Sequence, residues 1–311
     1  MQDFSLEPMG VGMLIDRSFK IYRSNFRSVI FFSLLIGGTF TMITSLINVN
    51  RMQSTQTLWS IFSELVYNFE NPQNLIEEIS NLNANTISPR SWVVSSLNSV
   101  FIQPLVTGGL TLLVFNICTG RERPETPVGW FNLVKPLYSK IIGSQLALSV
   151  ITLGIYFALI LLVIILSLLF AFSSLPDFLV FIVMLALLLP SVLGTTVYSM
   201  LALPVAIAEE RFGFKFIKRA FQLLFLRFWK SLGLMLATTT LVSIISSVFR
   251  MALAFLPPIF RAVLDAMISG LVSPVSVIAS VLLYLDIRIS KEGYDLELRN
   301  AMLNNQTVGP L

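Results

Sequence analysis

Histidine is absent from this 311-residue chain, cysteine occurs once, and charged residues make up only 12% of it. Each shortage excludes something. Without imidazole there is no Ser-His or Cys-His nucleophilic pair, no imidazole general base and no His-ligated metal, and nothing in the sequence asks for a cofactor. The lone Cys118 forms no intrachain disulfide; at the end of an apolar run it reads as a packed thiol, with reversible acylation the minor use. So little charge, with 55% hydrophobic residues and a mean hydropathy of +0.80, excludes a soluble domain of this length. The solvent for most of the chain is lipid. The formal charge of +4 sits beside apolar runs and forms no separate basic domain, so the anion it meets is the lipid headgroup and not nucleic acid.

What is present is a succession of long apolar runs. A hydrocarbon core about 30 Å thick needs ~20 helical residues, and six runs meet that need, at about 29–47, 92–119, 141–172, 178–207, 231–255 and 262–287. This predicts an all-α polytopic membrane protein, with six transmembrane helices in a single domain over 1–290 and a polar tail over 291–311. The acidic connection 48–91 is the one long polar loop and reads as an external cap over the bundle. Pro104, Pro190 and Pro274 interrupt the second, fourth and sixth runs and predict helix breaks; the third run is too long to cross upright and must tilt or protrude.

Between these runs lie basic stretches with helical periodicity. From Val11 to Arg27 one face carries Val11, Leu14, Ile15, Phe19, Tyr22 and Phe26, and the other Asp16, Lys20, Arg23 and Arg27. Such an amphipathic helix suits a membrane interface and the protein's own core equally. Residues 209–230 have the same character, with Phe214, Ile217, Phe221, Leu224 and Phe228 expected to form the buried face. Arg17, Lys20, Arg23, Lys215, Lys218 and Arg219 are the candidate contacts to membrane lipids or to a membrane or cytoplasmic partner protein. A third stretch, Arg121 to Lys140, has a helix start at Thr126-Pro127. Of the 21 Lys and Arg, 17 fall in these stretches and in residues 288–311, so the positive-inside rule puts both termini in the cytoplasm.

The layout repeats. Each third of the chain has a basic segment followed by a hairpin whose second helix contains one of the three prolines. Arg17-Ser18-Phe19 and Asn25-Phe26 align with Arg219-Ala220-Phe221 and Arg227-Phe228. Three degenerate copies of one unit account for this, as does chance similarity between basic helices.

Four acids attract chemical readings. Glu209-Glu210 resembles the paired glutamates of intramembrane proteases, but such sites need further ligands; placement near a helix N-terminus suits the pair better. Asp286, at the end of an apolar span, calls for a partner, and Arg17 or Arg219 is expected to make a structural tie with it. Arg261 and Asp265, four apart, suggest a local ion pair.

The opening Leu14-Ile-Asp16-Arg17-Ser-Phe-Lys-Ile-Tyr22-Arg-Ser-Asn25-Phe26, the middle Ala202-Leu-Pro204-Val-Ala-Ile-Ala-Glu209 with Lys218-Arg219-Ala-Phe221, and the closing Leu283-Tyr284-Leu-Asp286-Ile-Arg288-Ile-Ser-Lys291-Glu292-Gly293 resemble the bacterial glycerophosphoryl diester phosphodiesterase membrane-domain family. The resemblance implies a six-helix protein of the bacterial cell membrane. In fused members catalysis belongs to a separate soluble domain with histidines, which this chain lacks. The expected function is therefore that of a non-catalytic scaffold or accessory subunit engaging lipid or a partner through basic amphipathic helices. The rival is a small transporter with its site at the three prolines.

Overall fold

The computed structural model describes residues 9–47, 89–120, 126–171, 177–253 and 255–294. Expectations for the acidic loop, for 121–125, for the turn after the third span and for the end of the tail lie outside them. The described chain is all-α, and six of its helices are long and apolar enough to cross a membrane.

In chain order, α1 (Val11–Ser24) is followed by α2, the span Phe26–Ile47, which is π-helical over Phe31–Gly38. α3 runs through Pro89–Leu97, a π-helical Asn98–Ile102 and Gln103–Thr119. The short α4 (Pro127–Val134) leads through a 3₁₀ turn at Lys135–Leu137 into α5 (Tyr138–Ala171), and α6 (Asp177–Ala208) returns. Then come α7 (Lys215–Leu226), α8 (Phe228–Leu253), α9 (Pro258–Val272) and α10 (Pro274–Glu292). The order is a short helix and a hairpin, three times over.

Each proline break has its own form. Pro104 has no N–H for the preceding turn, and the helix widens to π geometry over Asn98–Ile102, ending two residues before it. Pro190 and Pro204 both sit inside α6. Pro274 occupies the first turn of α10, where its missing N–H costs nothing; Ser273 keeps helical dihedrals, so α9 and α10 make one 35-residue run. That run continues past Ile287 to Glu292 and ends on Gly293, whose φ of 63° suits a residue without Cβ.

α10 is the axis of the bundle. Every residue from Ile278 to Ile287 is buried, and α1, α3, α6, α7, α8 and α9 all pack around it. α3 forms the second half of the core against α2, α5 and α6. Here small residues let helices close up: a Cβ on Gly109 would lie 2.5 Å from the Phe32 ring, and one on Gly108 would lie 2.9 Å from Ile141. α5 stands apart. Only 6% of its most apolar window is buried, against 61% for α3. At 34 residues it is about 51 Å long, well over a ~30 Å hydrocarbon core.

α1 packs on the bundle, but through a face rotated from the predicted one: of Val11, Leu14, Ile15, Phe19, Tyr22 and Phe26 only Leu14 is fully buried, and Phe26 stays 47% exposed. Leu14, Ser18 and Ile21 are fully buried against α8 and α10, and the helix stops at Asn25, two residues before the predicted end. α7 buries Phe216, Ala220, Leu223 and Leu224. The predicted face is therefore rotated, because Phe214 and Phe221 stay exposed at 65% and 53% and only Leu224 of the five is buried. The aligned first and third units share a pattern of burial. Leu14 and Phe216, Ser18 and Ala220, Ile21 and Leu223, and Phe32 and Leu234 are buried pairs at one constant offset, and both helices break at the aligned Asn25 and Arg227.

Candidate functional site

The six candidate cations separate into committed and available groups. Arg219 is committed. Its Nε lies 2.8 Å from Oε1 of Glu209, and its Nη2 donates at 2.6 Å to Oε2 of Glu292 on α10. Burial works against the Arg219 charge, but the hydrogen bonds and attraction of Glu292 and Glu209 outweigh it and hold the guanidinium above its ordinary pKa. Arg288 donates to the same Glu292 oxygen at 3.1 Å and to the Tyr284 hydroxyl at 3.3 Å, while its guanidinium lies 4.0 Å from the Tyr294 ring. Tyr284 donates to Glu209 at 3.5 Å. This network ties α7 to the ends of α6 and α10.

The Glu209-Glu210 pair thus corrects its expected role. α7 has no acid in its first turn and no side-chain cap; Glu209 serves Arg219 and, at 3.5 Å, Arg211 instead. Glu210 adopts a φ of 52° in the turn, and the Gly213 N–H donates to Ser144 Oγ at 3.1 Å, fixing the turn on α5.

Asp286 makes a structural tie, though with another partner. Its Oδ2 accepts from Lys230 Nζ at 2.5 Å and its Oδ1 from the Met9 N–H at 2.7 Å, and Lys230 also donates to the Met9 carbonyl. Asp286 is fully buried, so an ion there requires such compensation. Lys230 sits in the first turn of α8, which packs on α10, whereas Arg17 donates to the Met9 sulfur at 2.9 Å and Arg219 is occupied elsewhere. Asp265, likewise, pairs with Arg250 across the α8–α9 hairpin at 2.6 Å and not with Arg261, which donates to the Leu256 carbonyl.

Lys20, Arg23, Lys215 and Lys218 are exposed and make no ion pair among the described residues. Of these, Lys218 borders a cavity. Between α5, α6 and α7 opens a groove of about 700 Å³, with Ile151 and Ile155 on one wall, Pro190 and Gly194 on the second, and Phe214, Ile217, Phe221, Phe225 and Phe228 on the third. Phe221 and Phe225 meet edge to face with centroids 4.8 Å apart. Three hydroxyls line it, and each donates to a backbone carbonyl: Ser191 to Leu187, Thr195 to Ser191 and Tyr198 to Ile217. The three prolines do not converge. Pro104 and Pro274 are buried in the core, and only Pro190 reaches the groove.

Sequence reasoning missed Lys230, Tyr284, Arg288 and Glu292 as partners. The last three have a visible signal, since residues 284, 288 and 292 share one helical face. The groove wall on α5 and α6 has none, because its residues look like any lipid-facing apolar positions. Among the described residues no three of His, Cys, Asp and Glu cluster in a metal-binding group. Fold and site together define an all-α multi-pass membrane protein whose described residues include an open apolar groove bordered by a lysine. No family model, no curated protein and no solved structure matches the chain.

Proposed function

We propose that this is a non-catalytic integral membrane protein, a scaffold or accessory subunit, that engages lipid through the amphipathic α7. The observation that carries this reading is the placement of Phe214, Phe221 and Phe225 on an open groove beside the unpaired Lys218, when another part of the same helix is already buried. An apolar arc of which one part is packed and the rest left open needs something apolar to cover it. α1 does not share this role, because its apolar side is taken up by the bundle.

The basic end of the bundle, carrying α1, α4 and α7, lies on the cytoplasmic face in this reading, supported by the count of 17 of 21 cations in the segments assigned to that side. The bacterial cell membrane and membership of the phosphodiesterase membrane-domain family belong to the same proposal. Their support is the closing motif, whose Tyr284, Asp286, Arg288 and Glu292 all take part in the ties described above. A transporter of polar solutes is less well supported, since the wall hydroxyls already spend their protons on backbone carbonyls.

The test is retention of lipid by the full chain extracted from its native membrane in mild detergent. Wild type is expected to retain several-fold more lipid than the Phe221→Ser, Phe225→Ser double variant. Equal retention by the two overturns the proposal, and a stoichiometric protein held by both would move the function to a protein partner.

A further inference from the structure

We infer that the groove is a binding site for one acyl chain of an anionic lipid, with the Lys218 ammonium holding the headgroup. This rests on the reading of α7 as the lipid-engaging element and adds the chemistry of the ligand.

Three observations specify that chemistry. The first is the polar inventory of the groove. With Ser191, Thr195 and Tyr198 donating to carbonyls, Lys218 is the single lining group with protons to offer a ligand, and it offers a full positive charge. A ligand that fits is apolar along its length and anionic at one end. A sugar or an amino acid would lose its hydrogen bonds to water on entry and regain few of them.

The second is the contrast between adjacent cations. Arg219 is saturated by two carboxylates, whereas Lys218, one residue earlier, faces no carboxylate among the described residues. Of the exposed cations that make no ion pair among the described residues, Lys218 is the one that lines this apolar groove.

The third is length. α6 ends at Ala208 on the basic end of the bundle, and the groove wall from Tyr198 to Pro190 extends about 12 Å along it. One leaflet of a ~30 Å hydrocarbon core is about 15 Å deep. The wall is thus about as long as one leaflet is deep, and Lys218 of α7 lies along it. The volume of about 700 Å³ falls in the range of a single small-ligand site, roughly 300–1,000 Å³. Gly194 keeps this space open: a Cβ there would meet nothing within 4 Å.

That open space supplies the test. A Cβ at Gly194 meets open space, so Gly194→Leu extends a side chain into the groove and narrows it, and it replaces glycine by a better helix former. The full chain is reconstituted in vesicles of equal parts phosphatidylcholine and phosphatidylglycerol, re-extracted, and its bound lipids counted by native mass spectrometry. Wild type is expected to hold one phosphatidylglycerol with about fivefold preference, the weight of one lysine near an anionic surface. Lys218→Ala, at an exposed position, should keep a lipid but lose the preference, and Lys218→Arg should restore it. Gly194→Leu should hold neither lipid.

The assignment is overturned if Gly194→Leu retains lipid as wild type does, or if Lys218→Ala keeps the full preference. Retention lost in the Phe221→Ser, Phe225→Ser variant but kept in Gly194→Leu would sink the groove and leave α7 as the lipid contact. Retention unchanged in all variants would sink both.

Discussion

α1 and α7 are the same helix put to two uses. At aligned positions they bury the same stripe, carry a half-buried arginine in Arg17 and Arg219, and hand over to a span one residue after a matching break. The difference lies on the other side. Where α1 has Gly12, Asp16, Phe19 and Arg23, α7 has Phe214, Lys218, Phe221 and Phe225. One acid and one base make a side that water or headgroups can cover; three phenylalanines and a lysine make a groove. The buried stripe is thus what the two helices share, and the outer stripe is where they differ.

The largest expected effect comes from breaking what only α1 possesses, its tie to Asp286. Asp286→Ala leaves Lys230 and the Met9 N–H without their buried acceptor and should cost about 3–5 kcal/mol in denaturant unfolding in detergent. Asp286→Asn with Lys230→Met should recover much of that, because neither charge then remains buried; a double variant no better than the single would show that the loss has another origin.

A smaller and matched effect tests the shared stripe. Ser18→Leu and Ala220→Leu each overfill a site with no exposed surface, and each should cost about 1–3 kcal/mol. Near-equal losses sharpen the equivalence of the two helices. A loss confined to one of them would break it.

The smallest effect concerns position 22, where α1 has tyrosine and the aligned residue of α7 is Leu224. The Tyr22 hydroxyl donates to the Leu271 carbonyl at 3.0 Å, and burial raises its pKa above 10. A phenol with a raised folded pKa contributes fully below pH 10 and loses that contribution as pH rises through the folded value. Tyr22→Phe should therefore flatten the decline in stability above pH 10, seen in melting temperatures across pH.

The six spans were legible because apolar length is a property of each run taken alone. So was the layout of three short helices and three hairpins. The rotated face of α7 was not. Its apolar arc runs from Leu223 and Phe216 round to Phe221 and Phe225, wider than one contact covers, and which part of it packs depends on how α10 and α6 stand beside it. Asp286 signalled its need for a partner, but Lys230 won over the arginines through the packing of α8, which no spacing encodes. The groove opens where α5, α6 and α7 meet, and a run as uniformly apolar as α5 has no pattern to announce that.

The tie between Met9 and Asp286 also sets an order of events during synthesis. A ribosome delivers the two ends of this contact 277 residues apart, with every described span emerging in between or around the second. α1 leaves the ribosome first and waits for its acceptor until the last span is nearly made. Its seating is therefore a late step of biogenesis, and a chain stopped before Asp286 keeps its first helix unlatched.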